Sequence, residues 1–180
     1  KSLRDLMAEN ELDGMLLFRQ ESMYYLSGYD TFGYVFFQCL YLGLDGKLIL
    51  LTRSPDLRQA ENTSILEDIR ICVDGPENPA QQLKDNLREC ACEGRQLGVE
   101  YDSYGLTAKN GRLLDSTLAG FCKLKDASNL VNRMRVIKSP EELVYVRKAA
   151  DLADDALDEA HKLVKAGCDE GELLAAMQGA

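Results

Sequence analysis

Apolar positions along this chain follow two alternating rhythms. Leu3, Leu6, Met7 and Leu12 recur at helical spacing, and Gly14-Met15-Leu16-Leu17-Phe18 then runs apolar without a break. That pattern predicts a helix followed by a buried strand. Gln20 to Leu26 gives one or two helical turns closed by Ser27-Gly28, while Tyr34 to Leu44 and Lys47 to Thr52 are strand-like runs meeting at Asp45-Gly46. An Asp-Gly pair between two such runs predicts a hairpin. Pro55 opens a short polar helix, Ile69 to Val73 reads as a strand, and Asn78-Pro79 starts an amphipathic helix on Ala80, Leu83, Leu87 and Ala91 that Gly94 ends. Gln96 to Tyr101 is a strand, Thr107 to Leu118 a helix, and Phe121 to Leu124 a last strand leading to Asp126. Helices alternating with strands predict an α/β fold with one mixed sheet flanked by helices.

Beyond residue 138 the rhythm is purely helical. Ser139-Pro140-Glu141-Glu142 sets a capping serine, a proline at the first helical position and a glutamate at the third, so two exposed amide donors are satisfied reciprocally. Leu143, Val146, Ala150, Ala153, Leu157, Ala160 and Val164 then form a stripe that needs a partner. The helix is expected to run from Pro140 to Ala166 and to close on Gly167 as a left-handed cap. Asp169 with Glu172 repeats the capping box ahead of Leu173, Leu174 and Met177, and the second helix reaches Ala180 with nothing to pack it. The pattern is that of a chain cut in mid-domain.

Length and composition narrow the class. One hundred and eighty residues suit one domain plus an extension, and 46% apolar with 28% charged residues suit a packed core. Thirty acidic against 21 basic side chains give a net charge of −9, which repels a nucleic-acid backbone. Ten acidic and four basic residues lie from Ser139 to Ala180, so the end of the chain differs in kind from the rest. No apolar stretch approaches the ~20 residues needed to cross a bilayer, and Lys-Ser-Leu-Arg-Asp-Leu at the start lacks the apolar centre of a signal peptide. The expectation is a cytoplasmic protein with no membrane and no nucleic-acid partner. The cysteines Cys39, Cys72, Cys90, Cys92, Cys122 and Cys168 are scattered through helix and strand patterns and read as reduced thiols. Cys90-Ala91-Cys92 has no second pair or histidine to complete a zinc site.

Asn132-Arg133-Met134-Arg135-Val136-Ile137-Lys138-Ser139-Pro140-Glu141-Glu142-Leu143, continuing to Val146-Arg147-Lys148-Ala149-Ala150, resembles the domain junction of the creatinase, prolidase and aminopeptidase P family. Tyr24-Tyr25-Leu26-Ser27-Gly28-Tyr29, the strand end from Leu48 to Arg53, and Leu97-Gly98-Val99-Glu100-Tyr101-Asp102 resemble that family's amino-terminal domain in order and spacing. The resemblance implies a ribonuclease H-like amino-terminal α/β domain over residues 1–132. Residues 133–180 would then be the junction and first helices of a pita-bread catalytic domain that is otherwise missing. It also implies a parent hydrolase, most simply a Xaa-Pro dipeptidase, working as a homodimer on a small peptide or amide. Metal-dependent members hold two divalent ions, manganese, cobalt or zinc, on two aspartates, a histidine and two glutamates downstream of the junction. None of those positions is present, so no catalytic or metal residue is assigned and this chain is expected to be inactive alone. A creatinase- or ectoine-hydrolase-like amidohydrolase, and a non-catalytic peptidase-like binding module, remain as alternatives.

Several residues have ordinary explanations. His161 lies in an acidic helix with no nucleophile near it, and the acids at 151, 154, 155, 158 and 159 wrap around more than one side of that helix. Glu100 and Asp102 fit a strand end entering a turn. The aromatic run is different: on a strand, Phe32, Tyr34 and Phe36 would alternate onto one face, beside Tyr29. Core packing and ligand contact both account for such a patch. The resemblance implies that Tyr29, Phe32, Tyr34 and Phe36 touch substrate in the partner subunit's active site. Creatinase-like members carry an arginine where this chain aligns Phe36, which points away from creatine and toward a more apolar ligand such as a prolyl group.

Overall fold

Period-two burial on both sides of one strand organises the first part of the molecule. In the computed structural model, which describes residues 2–72 and 78–180, Met15 and Leu17 of β1 (Gly14–Leu17) enter one core while Leu16 and the following Phe18 enter another. The chain divides into two compact units, residues 1–135 and 136–180.

In the first unit, α1 (Leu3–Glu9) precedes β1, and α2 (Gln20–Ser27) follows it. A 3-10 turn at Gly33–Val35 leads to the hairpin of β2 (Cys39–Gly43) and β3 (Leu48–Arg53). A second 3-10 turn, Ser54–Asp56, opens α3 (Leu57–Thr63), and β4 (Ile69–Cys72), α4 (Pro79–Glu89), β5 (Gln96–Val99), α5 (Ala108–Leu118), β6 (Lys123–Asp126) and α6 (Leu130–Val136) follow. The six strands form one mixed sheet in the order β4-β3-β2-β1-β5-β6. The central hairpin is antiparallel, pairing Gly14 with Gly43 and Leu42 with Leu48, whereas β1 with β5, β5 with β6, and β3 with β4 are parallel.

Helices cover both faces, which is why the central strands are continuously apolar rather than alternating. Leu16, Tyr41, Ile49, Leu51, Leu97 and Val99 pack with Leu83 and Leu87 of α4 and Leu114 and Leu118 of α5. Met15, Leu17, Leu40 and Leu50 pack with Leu3 and Met7 of α1, Met23 of α2, and Leu130 and Val131 of α6. Each fully buried side chain of this size contributes about 1.5–3 kcal/mol. Gly46, at φ +97°, allows the β2–β3 turn, where the Lys47 amide donates to the Asp45 carboxylate at 3.0 Å.

In the second unit, α7 (Pro140–Leu163) has the capping box of Ser139 and Glu142, and α8 (Glu170–Gly179) starts on Asp169, which accepts from the amides of Gly171 and Glu172. The two helices pack against each other.

Four expectations are corrected. The strand expected from Tyr34 begins only at Cys39, because buried side-chain bonds hold Gly33–Val35 in a tight turn. The aromatics therefore do not alternate along a strand. The α4 helix stops at Glu89, and Ala91 sits at φ 53° in the turn beyond it. The long helix ends at Leu163, since Val164 is already extended at ψ 115°, and Gly167 takes its positive φ in the link to α8. The last strand lies at Lys123–Asp126, later than the Phe121–Leu124 run, while the short α6 was not anticipated. Val73, expected to end β4, and Lys1 lie outside the described residues.

Candidate functional site

Parallel neighbours β1 and β5 end on the same side of the sheet, and in open α/β sheets the crevice outside the carboxyl ends of strands is where ligands bind. Two loops leave there, the short link into α2 and the longer path from Glu100 to Thr107.

Glu100 ties these loops together. Its side chain is fully buried, and its carboxylate accepts from the amides of Phe18 (3.2 Å) and Arg19 (3.1 Å) and from the Ser22 hydroxyl (2.6 Å). Arg19 occupies the N-cap of α2 but supplies no capping side chain, so the cap comes from another strand end. Burial pushes the Glu100 carboxyl up, against the lowering pull of the Ser22 hydroxyl and the Arg19 amide. With the backbone fixed in this way, the Arg19 guanidinium donates to the Asp102 carbonyl and carboxylate, the latter at 2.8 Å. Ser128 holds the loop from the far side by accepting from the amides of Tyr101 and Asp102.

A second network supports the aromatic turn. The Thr31 hydroxyl donates to the Asp56 carboxylate at 2.5 Å and accepts from the Gly33 amide, while the Gln38 amide donates to the Gly33 carbonyl at 2.7 Å. Beneath it, the Tyr29 hydroxyl donates to Gln38 at 2.5 Å and lies 2.9 Å from the Thr52 hydroxyl. Burial raises the Tyr29 phenol above its ordinary range. Phe36 stacks on the Arg53 guanidinium, 3.6 Å from the ring centre, and Tyr34 meets Tyr104 edge to face at 5.9 Å.

The four aromatics expected at a ligand thus separate. Tyr29 is wholly buried and braces the loop from within; Phe32 is 88% exposed, and Tyr34 and Phe36 are about half exposed. Tyr34 lines an open cleft of about 1070 Å³, with Val35, Tyr104 and Ser103 beside it and Arg19, Glu21, Asp102, Asn132 and Arg135 around it. Phe32 and Phe36 lie outside that lining. Sequence reasoning missed Arg19, Ser103, Asn132 and Arg135; the only signal for Arg135 was its place in the junction motif. It also missed the role of Glu100, which serves as a cap rather than a turn former.

The remaining chemistry is modest. Among the described residues no three His, Cys, Asp or Glu side chains are grouped to hold a metal ion, so the residues present do not fit a dinuclear metal centre. His161 is exposed on α7. Burial drives the Cys39 thiol well up and the Cys122 thiol to about 11, which leaves these two poor nucleophiles near neutrality. No helix among the described residues is long and apolar enough to cross a membrane.

The model of the creatinase/prolidase N-terminal domain family matches residues 1–137. An ectoine hydrolase from Halomonas elongata is 27% identical over 96% of this chain and 45% of its own length. A dipeptidase structure from Pyrococcus horikoshii superposes with a TM-score of 0.76 at 23% identity, covering 97% of this chain and 47% of that one. The N-terminal domain of a cytoplasmic peptidase from Mycobacterium tuberculosis superposes with a TM-score of 0.58 at 22% identity, covering 73% of this chain and 93% of that one. The chain spans about half the length of the full-length relatives it matches.

Proposed function

This chain belongs to the creatinase/prolidase N-terminal domain family, and from that premise we propose that it is the amino-terminal, substrate-wall and dimerisation part of a cytoplasmic metallohydrolase resembling Xaa-Pro dipeptidase. The observation that carries the reading is the exposed aromatic turn of Phe32, Tyr34 and Phe36, held rigid by buried bonds from Thr31, Gln38 and Asp56. Exposed aromatics cost free energy in water unless a ligand or partner covers them, and a braced turn presents them without an ordering penalty. A catalytic part outside these 180 residues would supply the two divalent ions, and residues 136–180, whose regular elements are the helices α7 and α8, would begin it. Tyr29 serves this site from behind, as a brace.

The identity to an ectoine hydrolase over nearly the whole chain favours a second reading, a parent that opens a cyclic amidine or amide rather than a dipeptide. Both readings share the aromatic wall and differ in the scissile bond.

The 180-residue chain with manganese, cobalt or zinc is expected to hydrolyse no Xaa-Pro dipeptide above background, whereas a chain carrying the metal-binding part is expected to be active. In that longer enzyme, Phe32→Ser should raise KM with little change in circular dichroism. Chelator-sensitive turnover by the 180 residues alone would sink the proposal, as would an unchanged KM in the Phe32→Ser enzyme. Light scattering checks the dimer, with Leu157→Lys, Val164→Lys as the comparison, and a monomeric active enzyme would remove the dimerisation role.

A further inference from the structure

The end of α4 carries a pair of thiols that neither the cleft nor the aromatic turn uses. Cys90 caps the helix, Ala91 follows at φ 53°, and the amides of Ala91 and Cys92 donate back to the carbonyls of Arg88 (3.0 Å) and Leu87 (3.1 Å). These are the two return bonds of a Schellman turn, whose left-handed position usually holds glycine. An alanine there stores backbone strain of the kind that gathers at functional turns. The same turn sets the spacing of the residues around Ala91. Helical geometry of either hand places residues two apart at roughly 5.4 Å between Cα atoms. A disulfide needs about 4.4–6.8 Å.

The two thiols differ in access. Cys90 is partly exposed, and burial, which raises its thiol, is opposed by the Lys47 ammonium beside it. A neighbouring cation stabilises a thiolate whenever it forms. Cys92 is 2% exposed; its Sγ donates to the Tyr41 hydroxyl at 3.3 Å and stands 3.7 Å from the Cys90 carbonyl oxygen, so it is turned back toward Cys90. An accessible thiol beside a cation, with a sheltered thiol two residues away, is the arrangement of an attacking and a resolving cysteine.

We propose that Cys90 and Cys92 form a thiol–disulfide exchange site that reacts with small-molecule disulfides. The Cys90 thiolate attacks one sulfur of the small disulfide, forming a mixed disulfide and expelling one thiolate with the bonding pair. The Cys92 thiolate then attacks Cys90 Sγ and expels the second. The protons given up by the two cysteines end on the two released thiols, so the small disulfide is reduced as the protein pair is oxidised. The closed ring spans a single intervening residue, and strained disulfides are readily reduced, so excess small thiol reopens it. Closure also takes the Cys92 hydrogen from the Tyr41 hydroxyl, which couples the exchange to the buried face of β2.

The test uses the reduced 180-residue chain, freed of reductant and exposed to oxidised glutathione. Remaining thiols are blocked with iodoacetamide and the peptides are mapped by mass spectrometry. An internal Cys90–Cys92 disulfide is expected to form about tenfold or more faster than any modification of the fully buried Cys39, and dithiothreitol should reverse it. Cys92→Ala should stop the reaction at a glutathione adduct on Cys90, and Cys90→Ser should slow oxidation of Cys92 about tenfold or more. Should Cys92→Ala fail to fold, the wild-type map and Cys90→Ser decide. A glutathione adduct on Cys90 that never closes in the wild type overturns the proposal. So does a disulfide joining Cys92 to Cys122 instead, or oxidation of Cys90 and Cys92 no faster than that of Cys39.

Discussion

The Ser22 hydroxyl donates to the Glu100 carboxylate at 2.6 Å across 78 residues of sequence, so the end of one strand caps a helix that follows another. This contact fixes the α2 start and, through Arg19, the loop that walls the cleft.

Glu100 gives the first prediction. Its folded pKa lies above the ordinary carboxylate value, because burial outweighs its three donors. A raised acid binds its proton more tightly in the folded state, so its stabilisation is full below the unfolded pKa and is lost as pH rises through the folded one. Urea midpoints of the wild type should therefore carry a falling component from about pH 4.5 upward that Glu100→Gln lacks. Glu100→Leu strands three buried donors and should cost about 3 kcal/mol or more. Superimposable pH profiles for wild type and Glu100→Gln would contradict this.

Tyr29→Phe removes a phenol bonded to Gln38 and Thr52 while keeping the ring. The two partners still bond each other at 2.6 Å, so the loss is held to about 1–2 kcal/mol. The expected readout is a lower denaturant midpoint with an unchanged slope; a midpoint equal to wild type would show that the network does not brace the turn.

Gly105 supports the aromatic turn by lacking a side chain, since a Cβ there would stand 2.6 Å from the Phe36 carbonyl oxygen. Gly105→Ala must push the turn aside, with a cost of roughly 1–3 kcal/mol and shifted amide signals from Tyr34 to Phe36. Signals that stay in place would mean that the loop from Asp102 yields instead.

A chain ending at Lys138 retains every strand and both cores, and should unfold cooperatively with an intact near-ultraviolet spectrum. A molten product would show that α7 and α8 are needed for the α/β unit.

The amino-acid order alone determined the sheet-and-helix alternation, the Asp45-Gly46 hairpin, the Ser139–Glu142 capping box, the Asp169 N-cap and the family resemblance, because each is written in spacings of a few residues; Asp169 caps α8 without the return bond from Glu172 that a full box would add. Residues 139 to 142 set a helix start wherever they occur, since the bonds they make are local. Tertiary structure decided the rest. Whether Phe32, Tyr34 and Phe36 continue a strand or close a turn depended on Asp56, which approaches from another segment, and on the Gln38 side chain folding back onto Gly33, and period two at 32, 34 and 36 is blind to both. Glu100 looked like an ordinary strand-end acid until Ser22 and the α2 amides came within reach. Arg135, Asn132 and Ser103 share a cleft only because α6 returns to the end of β5, a juxtaposition of segments some thirty residues apart that no local pattern encodes.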